Sequence, residues 1–195
     1  MAAKKALKKP KVVVKPKKVS KVKVVAKKKA PAKKVIAKKA VKKKVAWKPK
    51  GYASVTPYLI VSPAADAIDF YKKVFGAKVV SSMVTPHGQV AHAELMIGDS
   101  YIMLADACVE INALSPESYG GSPVSMHLYV KNADTIFAAG VKAGATILEP
   151  VEDKFYGDRH GLLMDPFGHT WCVSTHIEDV SSAEIKKRMK KFDSQ

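Results

Sequence analysis

Three side chains near the middle of the sequence are of the types that bind metal ions or move protons. His92 and Glu94 are two residues apart, and His127 lies further along the chain. Residues two apart on a strand point to the same face, so His92 and Glu94 can form an acid–base pair. Together with His127 they can form a displaced site for a divalent metal. The opposing interpretation is that this spacing arises by chance and that the three residues share no role.

Arg159 is one of only two arginines in the chain. Its planar guanidinium is suited to hold an anionic ligand. The alternative is an ordinary ion pair with Asp158 or Asp165 at the rim of a loop. No glycine-rich phosphate loop, nucleophile elbow, zinc-type cysteine spacing or His-Glu-x-x-His sequence accompanies these residues.

Helices and strands that would position these residues are predicted from Thr56 onward. Thr56–Val61 is predicted to be a strand, and Ser62 to cap a helix that begins at Pro63 and stops at Gly76. Three further strands are predicted at Lys78–Thr85, Val90–Ile97 and Ser100–Ala105. The order is therefore β-α-β-β-β.

The same unit occurs twice. Tyr58-Leu-Ile-Val61 matches His127-Leu-Tyr-Val130, and Phe75-Gly-Ala-Lys-Val-Val80 matches Ala143-Gly-Ala-Thr-Ile-Leu148. The last strands are predicted at Arg159–Met164 and Thr170–Thr175, across a turn at residues 165–168. We therefore predict an α+β fold for residues 51–180, in which two β-α-β-β-β modules (about 52–106 and 123–178) form a curved sheet that lines a cleft.

Several short motifs make this repeat similar to a known family. They are Pro57-Tyr58, Phe70-Tyr71, Phe75-Gly-Ala77, His92-Ala-Glu-Leu95, Gly98-Asp-Ser100, Leu128-Tyr-Val130, Phe155-Tyr-Gly-Asp-Arg159 and Asp165-Pro-Phe-Gly168 with Trp171. In these motifs residues 52–180 resemble the vicinal oxygen chelate superfamily, which contains glyoxalases, bleomycin-resistance proteins and dioxygenases, and within it the PhnB-like branch. The resemblance implies a ligand cleft between paired modules and, by analogy, a homodimer.

The resemblance also marks where metal-dependent members carry their ligands. The corresponding residues are Thr56, Ser125, Cys172 and either Ile102 or Met103. Hard divalent ions prefer imidazole and carboxylate ligands, and none of these residues supplies one. We therefore expect the standard metal site to be absent and predict no cofactor.

Strand alternation predicts which side chains face the cleft instead. Leu59, Leu128 and Val173 should pack under the helices. The predicted ligand-binding residues are Thr56, Tyr58, Met103, Ser125, His127, Tyr129, Arg159 and Cys172. Such a lining of hydroxyl groups, rings and one imidazole favours a moderately polar, planar small molecule.

The first 50 residues have a different composition. They contain 22 lysines and neither arginine nor acid, whereas residues 51–195 carry 12 basic and 17 acidic side chains, a net charge of −5. This composition resembles linker-histone tails and predicts a disordered segment that binds DNA or RNA without sequence preference. Its contacts are expected from Lys8, Lys9, Lys27, Lys28, Lys29, Lys33, Lys34, Lys42, Lys43 and Lys44. A tail that only improves solubility or binds an acidic protein is the alternative.

The remaining features concern the compartment and the C-terminus. The two cysteines, Cys108 and Cys172, and the lack of a secretory signal or a membrane-span-length apolar run predict a cytoplasmic protein with free thiols. Through its basic tail, association with the nucleoid is a further expectation. Ser181 and Glu184 form a capping box that opens a short basic helix over 181–195.

Three hypotheses follow for function. In the first, a metal-free small-molecule-binding domain is tethered to nucleic acid by the tail. In the second, the domain is a metal-dependent glyoxalase or dioxygenase that uses His92, Glu94 and His127 as unusual ligands. In the third, the domain only dimerises a tail that compacts the nucleoid.

Overall fold

The structure is a computed structural model that describes residues 45–192. All ten lysines predicted to bind nucleic acid, and most of the predicted tail, lie outside the described residues. Within them the α+β prediction is confirmed, since the chain forms two four-stranded sheets with helices. No helix of this part of the chain combines the length and apolar composition needed to cross a bilayer.

The first sheet belongs to module 1. Its elements are β1 (Tyr58–Val61), α1 (Ala64–Phe75), β2 (Lys78–Val84), β3 (Val90–Ile97) and β4 (Ser100–Asp106). The strand order is β1-β4-β3-β2, with β1 parallel to β4 and the other neighbours antiparallel.

The second sheet belongs to module 2 and repeats this topology. Its elements are β5 (Ser125–Tyr129), α2 (Ala133–Lys142), β6 (Thr146–Asp153), β7 (Asp158–Met164) and β8 (Thr170–His176), in the order β5-β8-β7-β6. Two short 3₁₀ turns, at Val109–Ile111 and Pro116–Tyr119, lie between the modules, and α3 (Ser182–Phe192) follows β8.

The two ends of α1 differ in how well the sequence predicted them. Gly76 ends the helix in the left-handed conformation, at a φ of 66°, as expected for a C-terminal glycine. Ser62 does not cap the other end. The carboxylate of Asp106 accepts a hydrogen bond from the Ala64 N–H at 2.7 Å instead, and its second oxygen accepts one from the Val90 N–H at 2.7 Å. A residue distant in sequence therefore satisfies the helix N-terminus.

The helices cover one face of each sheet. Helix α1 packs on β1, β3 and β4, α2 packs on β6, β7 and β8, and the two helices contact each other. Leu59 and Val173 are buried on the covered faces, as predicted, and Leu128 is partly buried against the same core. Among the described residues, neither α1 nor α2 covers the opposite face of its sheet.

Asp165 connects the two modules inside the core. It is 3% exposed, and it accepts hydrogen bonds from the Tyr71 hydroxyl of α1 at 2.7 Å and from the Trp171 ring nitrogen of β8 at 2.9 Å. The backbone N–H groups of Phe167 and His169 donate to its other oxygen. His169, which follows the turn, is itself buried and contacts the Ile60 carbonyl at 3.2 Å. It is therefore part of this structural connection.

Candidate functional site

Module 1 presents polar and aromatic side chains on the sheet face that α1 does not cover. Cross-strand neighbours place Tyr58, Met103, Glu94 and Ser81 in one row across the four strands. We call the surface formed by Tyr58, Ser81, His92, Glu94, Tyr101 and Met103 the module 1 face. Tyr58 is 48% exposed whereas Leu59 is 4% exposed, so the predicted alternation holds on β1.

A chain of polar contacts runs along the module 1 face. The Tyr58 hydroxyl lies 3.0 Å from His92 Nδ1, and His92 Nε2 lies 3.6 Å from the Glu94 carboxylate. The Ser81 hydroxyl donates to Glu94 at 3.0 Å. Hydrogen bonds from Tyr52 and from Ser81 lower the pKa of Glu94. Glu94 is therefore held as an anionic acceptor next to an imidazole and a phenol.

Module 2 has an equivalent surface on the face of its sheet opposite α2. We call the surface formed by Ser125, His127, Tyr129, His160, Cys172 and Ser174 the module 2 face. The His127 and Tyr129 rings are 4.7 Å apart between centroids, and the His127 and His160 rings are 6.3 Å apart. The three β5 residues that alternation directs away from the helix, Ser125, His127 and Tyr129, are all exposed.

Cys172 lies at the centre of the module 2 face. Its sulfur is 4.0 Å from His127 Nε2 and 3.4 Å from the Ser174 hydroxyl. Burial raises the pKa of the Cys172 thiol. The protonated thiol is a poor nucleophile, so this Cys–His proximity does not form an activated pair.

Tyr156 and His160 form a contact that the sequence analysis missed. The Tyr156 hydroxyl lies 2.7 Å from His160 Nδ1, beside a cavity of about 590 Å³ that Glu149, Lys154 and Arg188 also line. Burial, and next the positive charge of Lys154, lower the pKa of His160. The alternation of β7 places His160 on the same face as the cleft residues, so the strand period was a usable signal.

The prediction that Arg159 lines the cleft is corrected by the structure. Arg159 is one residue into β7 and points to the helix side of the sheet. Its guanidinium donates to Asp134 of α2 at 2.6 and 2.8 Å and to Asp153 at 2.8 Å. The acidic partners are therefore neither Asp158 nor Asp165, and the residue fastens α2 to its sheet.

The structure shows where the residues at the family's metal-ligand positions lie. Met103 pairs with Tyr58 and Glu94 and lies on the module 1 face, whereas Ile102 is buried on the covered face. Thr56 precedes β1 and lines a groove next to Met103. A thioether, two hydroxyls and a protonated thiol are a poor ligand set for a hard divalent ion, so these residues do not fit one.

The three weak catalytic candidates are divided between the sheets. His92 and Glu94 lie together on the module 1 face, and His127 lies on the module 2 face. Within the described residues, no group of three or more His, Cys, Asp or Glu side chains has an arrangement that would hold a metal ion.

Comparisons with known proteins agree with this architecture. The family model for the Glyoxalase/Bleomycin resistance protein/Dioxygenase superfamily matches residues 52–173. The uncharacterized protein Rv0887c of Mycobacterium tuberculosis is 38% identical over 139 residues, which cover 70% of this chain and 82% of that protein. The X-ray structure of the Arabidopsis thaliana At5g48480 product has a TM-score of 0.50 and 29% identity, covering 63% of this chain and 98% of that one.

A PhnB protein from Bacillus cereus shares the fold, with a TM-score of 0.52 and 22% identity. The aligned region covers 63% of this chain and 99% of that protein. The family match covers module 1 and module 2 as far as Val173. The chain therefore belongs to the Glyoxalase/Bleomycin resistance protein/Dioxygenase superfamily.

Proposed function

We propose that the folded domain binds a planar, moderately polar small molecule on the module 1 and module 2 faces. The observation that carries this proposal is the composition of these faces, where aromatic rings alternate with hydrogen-bonding groups on surfaces that α1 and α2 do not cover. On module 1 these groups are Tyr58, His92 and Glu94, and on module 2 they are His127 and Tyr129. Rings give a planar ligand contact area, and the polar groups orient it.

The same proposal assigns the complete cleft to a homodimer. The helices pack against each other, so each module face lies on the side of its sheet opposite the shared core. A second copy places its module 2 face against the module 1 face of the first. The surface to be covered is large, since Tyr58 and Tyr129 are 48% and 60% exposed and every residue of β2 is exposed.

Ligand binding in this proposal needs no metal. The support is the donor set at the standard positions, where Met103, Ser125 and Cys172 replace the imidazole and carboxylate groups that divalent ions prefer. Orientation of the ligand then depends on hydrogen bonds to groups such as Glu94 and His92.

The lysine-rich N-terminal segment tethers this domain to DNA or RNA. The support is electrostatic: the segment carries 22 lysines without an acid, and the remainder of the chain has a net charge of −5. Release of condensed counterions from phosphates drives such binding and gives it no sequence preference. Arg188 of α3 is engaged by Glu178 and Glu184, so it is not assigned to this contact.

A metal-dependent enzyme is the second candidate, and one contact favours it. His92 and Glu94 are 3.6 Å apart on the module 1 face, and His127 of a second copy would add a third donor across the dimer cleft. The test is metal analysis of purified protein after dialysis. Stoichiometric metal that is lost in His127→Ala would favour the enzyme over the metal-free binder.

The proposed function is tested by thermal denaturation of the purified protein in the presence of planar aromatic fragments. We expect fragments that raise the melting temperature of the wild type and fail to raise that of Tyr58→Ala. Tyr119→Ala, which removes an exposed ring that belongs to neither face, is the matched control and should respond like the wild type. If no fragment shifts the melting temperature of the wild type, the result would contradict the proposed binding function and favour a dimerising scaffold for the tail.

A further inference from the structure

The segment that precedes β1 crosses the module 1 face. We call residues 47–56 the strap. The ring of Tyr52 stacks on the ring of Tyr101, with 4.1 Å between centroids and 20° between planes. Residues of the strap, together with Val80, Glu94 and Met103, line a groove of about 580 Å³. The strap therefore lies on the surface to which the proposed function assigns the ligand.

Tyr52 also satisfies the main anionic acceptor of this surface. Its hydroxyl interacts with the Glu94 carboxylate, and this interaction raises the pKa of Tyr52 to about 12. One side chain thus supplies both a flat ring to Tyr101 and a donor to Glu94. These are the two contacts that a planar ligand would make at the same place.

The rest of the strap is held loosely. Trp47 and Val55, near its two ends, are 87% and 83% exposed. The turn at its centre has a 3.4 Å hydrogen bond from Tyr52 N to the Pro49 carbonyl, and Lys48 Nζ donates to the Tyr52 carbonyl at 2.6 Å. Gly51, at a φ of 91°, brings this turn close to Tyr101, since a Cβ there would lie 3.4 Å from the ring. Displacing the strap consequently costs little beyond the contacts of Tyr52.

We propose that Tyr52 occupies the position of the ligand on the module 1 face, so that the strap and the ligand compete for Tyr101 and Glu94. This inference rests on the proposed function and narrows the ligand class. The ligand carries a planar aromatic ring with a hydrogen-bond donor at its edge, as a phenol or an aromatic amine does. The strap keeps the groove filled until such a molecule displaces it.

The test uses 4-methylphenol, which is the tyrosine side chain as a free molecule. The full-length protein with ¹³C-labelled methionine methyl groups is titrated with 4-methylphenol, and the Met103 signal is followed by NMR. We expect Tyr52→Ala to bind the probe about tenfold more tightly than the wild type, because the probe no longer displaces a stack and a hydrogen bond. Tyr52→Phe, which keeps the ring and loses the donor, should have intermediate affinity.

Two controls make the outcome decisive. Tyr119→Ala should match the wild type, and a cooperative thermal unfolding transition should show that every variant is folded. If the probe shifts Met103 equally in the wild type and in Tyr52→Ala, the module 1 face binds ligands but the strap does not compete, and only this inference fails. If the probe shifts Met103 in neither protein, this inference fails, and the fragment series in thermal denaturation decides the proposed function separately.

Discussion

At the scale of single residues, the side chains that hold the fold together differ in position from those on the open sheet faces. Asp165 and Arg159 have the charges of site residues, yet the first ties α1 to β8 and the second ties α2 to β7. Tyr58, His92 and His127 have their polar atoms on open sheet faces. The shared face of His92 and Glu94 and the outward positions of Tyr58 and His127 follow from strand alternation, which is local. The predicted cleft position of Arg159 was wrong, since its partner Asp134 is 25 residues away in sequence.

His160 provides a residue-scale test through pH. Its pKa is lowered from the usual 6.5 by burial and by Lys154, so between the lowered value and 6.5 the unfolded chain binds a proton that the folded protein does not. The contribution of His160 to stability is thus fully present above pH 6.5 and is lost as the pH falls through this interval. In urea unfolding at pH 7 and pH 5.5, His160→Gln should lose less stability on acidification than the wild type.

The matched control for this measurement is His87→Gln, at an exposed turn position. It should keep the pH dependence of the wild type. The pKa of His176 is raised by Asp158 and Asp179, so His176 acts in the opposite direction, but it is present in all three proteins and cancels. If His160→Gln loses as much unfolding free energy between pH 7 and pH 5.5 as the wild type, burial of His160 does not control this pH dependence.

At the scale of elements, most of the architecture follows from local patterns. The strand at Val90–Ile97 and the stop at Gly76 were predicted with the observed bounds because alternation and glycine conformations are determined locally. The start of α1 was not, since its capping group is Asp106 on β4, 42 residues from Ala64. The strap spans the predicted border between the tail and the domain, and no periodic spacing of apolar residues marks it as a structural element. Only the stack of Tyr52 on Tyr101 reveals its place.

Gly161 tests how closely α2 packs on its sheet. A Cβ at this position would lie 2.6 Å from the Phe137 ring and 2.9 Å from the Glu149 carbonyl oxygen. Because the carbonyl belongs to the neighbouring strand, Gly161→Ala should destabilise the protein by about 2 kcal/mol or more. The measurement is the free energy of unfolding in urea.

Gly88→Ala is the comparison that isolates the contact. Gly88 has a φ of 87° and nothing within 4 Å of its Cβ position, so its replacement carries only conformational strain, about 1 kcal/mol. Equal losses for the two variants would mean that α2 and β6 move aside at Gly161, contrary to the tight packing described.

At the scale of the whole molecule, a mildly acidic domain and a lysine-rich segment differ sharply in charge, and composition alone predicts this difference. Duplication explains the domain, since two equivalent modules share one core and leave two similar faces opposite α1 and α2. The proposed assembly of two copies could not be predicted in detail, because exposed residues of β2 such as Val79 and Met83 have the sequence pattern of an ordinary strand.

Removing residues 1–44 takes away 20 of the 22 lysines and keeps the strap. We expect the truncated protein to fold normally and to lose most of its affinity for duplex DNA. For the full chain, the logarithm of the binding constant should fall linearly with the logarithm of the salt concentration, by roughly 0.9 for each phosphate engaged. Fluorescence anisotropy at several salt concentrations measures both quantities. Equal affinity of the two proteins, or a flat salt response, would assign the segment to another partner.

The central claim, that the faces of the two modules opposite α1 and α2 bind a planar ligand, is tested most directly by a crystal structure of the full chain soaked with a fragment that raises its melting temperature. We expect the fragment to lie on the module 1 face, with its ring against Tyr101 and its polar group within hydrogen-bond distance of Glu94. Tyr129 or His127 of a second copy should close the other side. A fragment bound only outside the module 1 and module 2 faces, for example between α1 and α2, would contradict the claim.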